Sequence, residues 1–329
     1  MLLGLARRLA SGLVTLLLVT CLAFALIHAA PGDPVSAGEG GDERWFLTLT
    51  PQRQAEVRAL YHLDQPLHLR YAGWLRDVAR LDLGRSFHDR RPVRDKIGER
   101  LGTTLGINLV ALALMCVLSL PAGGLAAWRS GGAWDRLSAA AGYALYSIPA
   151  FWAALLLQIV FSVKLDWLPL YGLASDGAER LGTIHRLLDR GAHMVLPVVC
   201  LSYGGLAYFS RFVRASLLEN AFGEASRAAR ARGVSVARLL FRHGLRQAAL
   251  PLLTLAGFVL PALVSGSVIV ETIFSIPGLG SLFTEAVLQR DVPVVMGLTL
   301  LSSVMTLAGI VVADVGYLLA DPRVRRAPG

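Results

Sequence analysis

The sequence predicts an all-α membrane protein with six transmembrane helices, and three observations carry that prediction. Of 329 residues, 54 % are hydrophobic and 17 % charged, a departure from soluble averages toward a polytopic membrane chain. Six stretches lack Asp, Glu, Lys and Arg for 17 residues or more, long enough to approach a ~30 Å hydrocarbon core at ~1.5 Å per residue. Charge is confined between them, and one arginine-rich insert stands out. Lys and Arg exceed Asp and Glu by 32 to 23. A basic balance of that size raises nucleic acid as a partner, but its placement beside apolar spans points to a membrane surface. Cys21, Cys116 and Cys200 all fall inside apolar spans without metal-like spacing, so neither a disulfide framework nor a metal site is expected.

The spans run Leu9 to Gly32, Thr103 to Trp128, Leu137 to Val163, Met194 to Ser210, Gln247 to Val270 and Val292 to Ala313. Arg7-Arg8 precede the first, which is longer than a signal-peptide core and lacks a suitable cleavage site, so an uncleaved helix is expected. The fourth is shortest, and its boundary extends toward His193 or onto the stem at Arg211. Ser147-Ile-Pro149, Pro197 and Pro261 predict kinks in the third, fourth and fifth spans. Gly257, Pro261, Ser265, Gly266 and Ser267 in the fifth, with Ser147 and Pro149 in the third, are candidates for a translocation pathway; close helix packing is the competing use of the small residues. Glu271 and Asp314 stand at span ends, which favours interfacial pairing or capping over a midplane coupling-ion site.

Between the first two spans, Leu67, Tyr71, Trp74, Leu75, Val78 and Leu81 recur at helical spacing, opposite Arg70, Arg76, Asp77 and Arg80. This is an amphipathic helix, lying on the bilayer or capping its own spans in one reading and meeting a partner protein in another. With the N-terminus inside, the cytoplasmic segments hold fifteen basic residues and the two short external loops five. Both termini are therefore expected in the cytoplasm, with residues 33–102 outside.

The insert carries eight arginines from Arg211 to Arg246 against Glu219 and Glu224. Gly233 suits a left-handed helix C-terminus and Ser235 the N-cap of a second short helix. On the first helix Ala225, Ala228 and Ala229 share one face, with Arg227 and Arg230 opposite. From charge alone the insert reads as a basic orientation signal. A thin alanine face flanked by guanidiniums also suits docking into a partner's groove beside carboxylates.

The residue order bears on that choice. Arg227-Ala-Ala-Arg-Ala-Arg-Gly233, Arg242-His-Gly-Leu-Arg246 and Leu250-Pro251, with 18 residues from Gly233 to Pro251, resemble the EAA loop of permease subunits in binding-protein-dependent ABC importers. The dipeptide/oligopeptide/nickel branch is most similar, although Ala225-Ser226, Gly244 and Gln247 depart from its pattern. Pro31-Gly-Asp-Pro34, Leu63-Asp-Gln-Pro66, Leu81-Asp-Leu-Gly-Arg-Ser86, Phe274-Ser-Ile-Pro-Gly-Leu-Gly280, Arg290-Asp-Val-Pro293 and Asp321-Pro-Arg extend the likeness over nearly the whole chain. Leu81 stands where the branch usually has glycine.

The resemblance implies a type I ABC importer permease fold with an amphipathic first external loop and a cytoplasmic coupling helix. Its expected segments are 1–32 (first span), 33–102 (external loop), 103–320 (permease core, with the coupling loop at 211–250) and 321–329 (tail). It implies Glu224, Arg227, Ala228, Ala229, Arg230, Arg232 and Gly233 as the ATPase-coupling residues. The implied partners are a second homologous permease, two cytoplasmic ATPase subunits that bind ATP and Mg, and an extracytoplasmic substrate-binding protein, all in a bacterial inner membrane. The chain has no G-x-x-x-x-G-K-[ST], H-E-x-x-H or G-x-S-x-G, so no bound cofactor, metal or catalytic residue is expected and ATP is left to the partners. The implied cargo is a peptide, with a nickel chelate or glutathione as alternatives. From other classes, an ion-coupled secondary transporter would rest on Glu271 or Asp314, and a membrane scaffold would not use kinked spans with small polar residues.

Overall fold

A computed structural model describes residues 2–29, 50, 52, 64–222, 231–235 and 268–320. The described elements are helical: α1 (Leu2–Ala29), α2 (Leu67–Ala79), α3 (Val93–Trp128), α4 (Ala133–Tyr146), α5 (Ala150–Leu157), α6 (Thr183–Phe222), α7 (Val268–Ile273), α8 (Leu279–Leu288) and α9 (Val292–Ala320). A π-helical stretch, Gln158–Lys164, continues α5, and a short 3₁₀ turn, Ala178–Arg180, precedes α6.

Among the described residues four helices are long and apolar enough to cross a membrane, or five if α4 and the α5 segment form one broken span. The fifth charge-free stretch, Gln247 to Val270, lies outside the described residues except for its last three. Several helices overrun their apolar cores. α3 starts ten residues before Thr103, and α6 extends the 17-residue stretch to 40 residues in both directions. Amphipathic turns continue a span once backbone hydrogen bonding is propagating, so absence of charge marks the lipid-facing segment and not the helix end. Pro121 and Pro197 sit inside α3 and α6 without ending them, as membrane helices tolerate. The third span differs most: α4 and α5 meet at 97°, a break and not a kink.

The chain divides into two compact units, Met1–Gly102 with Gly278–Ala308, and Thr103–Pro277 with Gly309–Gly329. In the first, Phe24, Val292 and Met296 are buried with Tyr71, Trp74 and Phe87 packed on them. The amphipathic helix thus caps its own unit: the Tyr71 hydroxyl lies 2.9 Å from Thr20 Oγ1 and donates to the Leu17 carbonyl at 3.0 Å. Arg76 and Arg80 are exposed and Trp74, Leu75 and Val78 half-buried, as the spacing predicts. Three residues depart from it. Leu67, at the start of α2, is 49 % exposed although the spacing puts it on the apolar face. Arg70 turns inward to His28 Nε2 at 2.6 Å. Leu81 leaves the apolar face altogether, 85 % exposed and at φ +63°. It is the residue after the C-cap of α2, where the Leu81 and Asp82 N–H groups donate to the Val78 and Asp77 carbonyls at 2.9 and 3.0 Å. That is a Schellman ending, which favours glycine at this position and explains the family preference from which Leu81 departs.

The second unit has its core where Ile107 and Ala111 of α3, Ala154 of α5, Leu196 and Cys200 of α6, and Val270, Phe274 and Ile276 meet. Leucines and valines elsewhere on the long helices are open, among them Leu18 and Val117, each 66 % exposed. Apolar surface of that kind belongs against lipid.

Candidate functional site

The arginine-rich insert follows the C-terminal end of α6, and that end is anchored by a buried carboxylate. Asp135 lies in the first turn of α4, 5 % exposed. Its Oδ1 accepts from Arg211 Nη1 at 3.1 Å and Arg214 Nε at 2.5 Å; its Oδ2 accepts from Arg214 Nη2 at 2.6 Å and the Gly131 N–H at 2.9 Å. Arg214 therefore grips the carboxylate through two nitrogens, the geometry that gives an ion pair direction as well as strength. Arg211 and Arg214, counted with the insert's basic residues, are taken up as internal cross-links to α4. One carboxylate facing two guanidiniums leaves a net positive root.

Backbone contact reinforces the same end. A Cβ at Gly123 of α3 would abut the Ser210 carbonyl oxygen and lie 2.9 Å from Val213 Cβ, so only glycine permits this approach to α6. Ala127, Val213 and Leu217 close the contact with a buried apolar patch. Within the insert, Gly233 has φ +83° and takes the left-handed conformation expected for it, next to an exposed Arg232. Glu224, Arg227, Ala228, Ala229 and Arg230 lie outside the described residues.

Of the pathway candidates, Ser147 and Pro149 form the break between α4 and α5, and both are exposed. Ser147 Oγ donates to the Tyr143 carbonyl at 2.8 Å. The Ile148 carbonyl, freed by the break, accepts from Tyr203 Oη of α6 at 2.6 Å. A break beside apolar surroundings needs such a donor, since an unpaired carbonyl is costly. Beyond α5, Gln158 Nε2 donates to the Leu170 carbonyl at 2.8 Å and Ser162 Oγ to the Pro169 carbonyl at 3.0 Å, which ties the π-helical stretch to the following loop. Gly257, Pro261, Ser265, Gly266 and Ser267 lie outside the described residues. Glu271 is 3 % exposed and paired, accepting from Thr104 Oγ1 at 2.9 Å. The Asp314 side chain lies outside the described residues.

In the first unit two motif segments 205 residues apart meet. Asp291, 1 % exposed, accepts from the Ser86 hydroxyl and, at 3.0 Å, from the Phe87 N–H. Asp89 beside them is paired with Lys96 Nζ at 2.8 Å. Burial alone would raise the Asp89 carboxyl, but chiefly the Lys96 ammonium and the Arg91 N–H hold it down at about 2.

Sequence reasoning missed Asp135, Tyr203, Gln158 and Thr104. Asp135 carried a faint signal, a lone acid in a short loop with Arg129 and Arg136, but its partners are 76 and 79 residues away.

Comparison with known proteins agrees with this architecture. Residues 119–326 match the family model described as "Binding-protein-dependent transport system inner membrane component", and residues 1–108 match its N-terminal companion. The chain is 36 % identical over 323 residues to the oligopeptide transport system permease protein AppB of Bacillus subtilis (strain 168), covering 97 % of this chain and 98 % of the relative. It is 37 % identical over 334 residues to the di/tripeptide transport system permease protein DppB of Pseudomonas aeruginosa (strain UCBPP-PA14), with coverage of 97 % and 98 %. To the dipeptide transport system permease protein DppB of Escherichia coli (strain K12) it is 33 % identical over 337 residues, covering 97 % of each. A family match over well more than half the chain, with relatives aligned nearly end to end, makes this protein a member of the binding-protein-dependent transport system inner membrane component family, a multi-pass permease subunit of an ABC importer.

Proposed function

We propose that this permease imports short peptides, forming an alternating-access pathway with a second, homologous permease. Relatives named for oligopeptides, dipeptides and tripeptides along their whole length support that cargo over a nickel chelate or glutathione. Two cytoplasmic ATPase subunits bind ATP and Mg, since the chain has no phosphate-binding loop of its own. A substrate-binding protein delivers the peptide on the other side. Both termini and residues 211–250 face the cytoplasm, and residues 33–102 the exterior.

In this reading the insert is a lever, with Glu224, Arg227, Ala228, Ala229, Arg230, Arg232 and Gly233 at the ATPase contact. The observation that carries it is the grip of Asp135 on Arg211 and Arg214. A lever needs a stiff root, and a doubly held buried carboxylate supplies one, whereas a mere orientation signal needs none. Motion of the insert would pass along α6 to Tyr203, and through its bond to Ile148 to the break at Ser147 and Pro149.

Uptake of a radiolabelled tripeptide by proteoliposomes holding the complete complex tests the reading. Uptake that requires ATP and binding protein supports it. Uptake driven by an ion gradient without ATPase subunits, or uptake of only nickel chelate or glutathione, contradicts it.

A further inference from the structure

The amphipathic helix α2 lies low on α1. Its contacts run from Leu17 and Thr20, reached by Tyr71, to His28, reached by Arg70. That is roughly 16 Å of helix length, about half a hydrocarbon core. His28 stands one residue from the end of the apolar run Ala10–Ala29, so the Arg70 guanidinium that reaches it lies at the boundary of that run, where long cationic side chains settle.

A cavity of about 670 Å³ opens between α2, the C-terminal end of α1, the loop after α2 and the start of α9, all within the first unit. Arg70, Arg76 and Arg85 line it with Asp77 and Asp82. His28 is neutral in this arrangement: its Nδ1 donates to the Phe24 carbonyl at 2.7 Å, leaving Nε2 to accept from Arg70. Among the described lining residues, three guanidiniums against two carboxylates leave one net positive charge. Arg76 and Arg85 form no ion pair among the described residues; Arg85 donates only to the Arg90 carbonyl, at 3.0 Å. Trp74, on the same wall, has a buried indole N–H with no acceptor among the described residues.

We propose that this cavity binds the phosphodiester headgroup of a membrane phospholipid. A phosphodiester carries one negative charge, which matches the single unbalanced cation, and its oxygens accept from the planar forks of Arg76 and Arg85. Phosphate as a dianion would be under-neutralised by that single cation. The remainder of the lining includes Phe24, Leu69 and Met296, which suit the glycerol and first acyl carbons.

The test uses the full-length chain in its transporter complex, delipidated in detergent and titrated with dioleoylphosphatidylglycerol, with bound lipid counted by native mass spectrometry. Arg76 and Arg85 are exposed, so glutamine at both positions leaves the fold intact. One lipid per chain is expected, weakened about tenfold or more in Arg76→Gln/Arg85→Gln and partly restored in Arg76→Lys/Arg85→Lys, which keeps charge without the fork. Dioleoylglycerol, which lacks the phosphate, should not bind, and neither inorganic phosphate nor a tripeptide should displace the lipid. Equal lipid occupancy in wild type and the glutamine variant would overturn the proposal, as would binding of dioleoylglycerol. Displacement by inorganic phosphate would make this a free-anion site, and displacement by tripeptide a solute site; either result also refutes it.

Discussion

Asp135 is the residue on which the second unit's polar order converges, because four N–H donors end on its two oxygens. Asn at this position keeps the shape but removes the charge, leaving two guanidiniums partly buried without a counterion. We expect Asp135→Asn to lower stability by about 3 kcal/mol, the low end for a broken buried pair because both arginines keep some water. Differential scanning fluorimetry in detergent reads that loss. Leu81 offers the opposite sign. An L-residue at φ +63° is strained, and its side chain is 85 % exposed and contributes little packing. Leu81→Gly should therefore stabilise by about 0.5–1 kcal/mol after the entropy cost of glycine; a lower melting temperature would contradict the assignment of strain. Asp89 makes a pH-dependent contribution. Its carboxyl is depressed from 3.8 to about 2, so the contribution is complete above about pH 4 and is lost as pH falls toward 2. With a third of the side chain exposed, screening reduces the effect to about 1 kcal/mol. Asp89→Asn should flatten that acid limb in a pH series of melting temperatures.

Elements were legible in proportion to how local their cause is. The apolar spans other than Gln247 to Val270, the helix over Leu67–Ala79 and the left-handed glycine at 233 follow from periodicity, length and backbone sterics, and they stand in the structure. The right angle at residues 147–149 did not follow from Ser-Ile-Pro, which reads as a kink. At that break Tyr203, a residue of another helix, donates its hydroxyl to the Ile148 carbonyl, a contact that no local pattern announces. Arg70 was misassigned for a similar reason: helical spacing puts it opposite Trp74, but a long side chain reaches back to His28. We expect Tyr203→Phe to cost about 1–2 kcal/mol, the range for leaving a poorly hydrated carbonyl unpaired. It should also slow uptake without altering ATPase co-purification, measured on the same preparation. Unchanged melting and uptake would mean that the break holds itself.

At the scale of the whole molecule, the family motifs were visible before any fold, yet the grip between Asp135 and Arg214 was not. A contact 79 residues apart leaves no periodicity to read. The coupling role of the insert rests on motif likeness and on that root. Orientation is checked separately: a cysteine at Ser235 should be unreactive to an impermeant maleimide applied to intact cells, and labelling from outside would invert the topology. The most direct test of the coupling account is the number of peptides imported per ATP hydrolysed, measured in proteoliposomes with binding protein present, for wild type, Asp135→Asn and Gly233→Val. The account predicts that ATPase subunits still co-purify and hydrolyse ATP in both variants, while peptide moved per ATP falls about tenfold or more, the effect of roughly 1.4 kcal/mol or more of lost coupling. Wild-type ratios in both folded variants would contradict it and leave the insert a basic orientation signal.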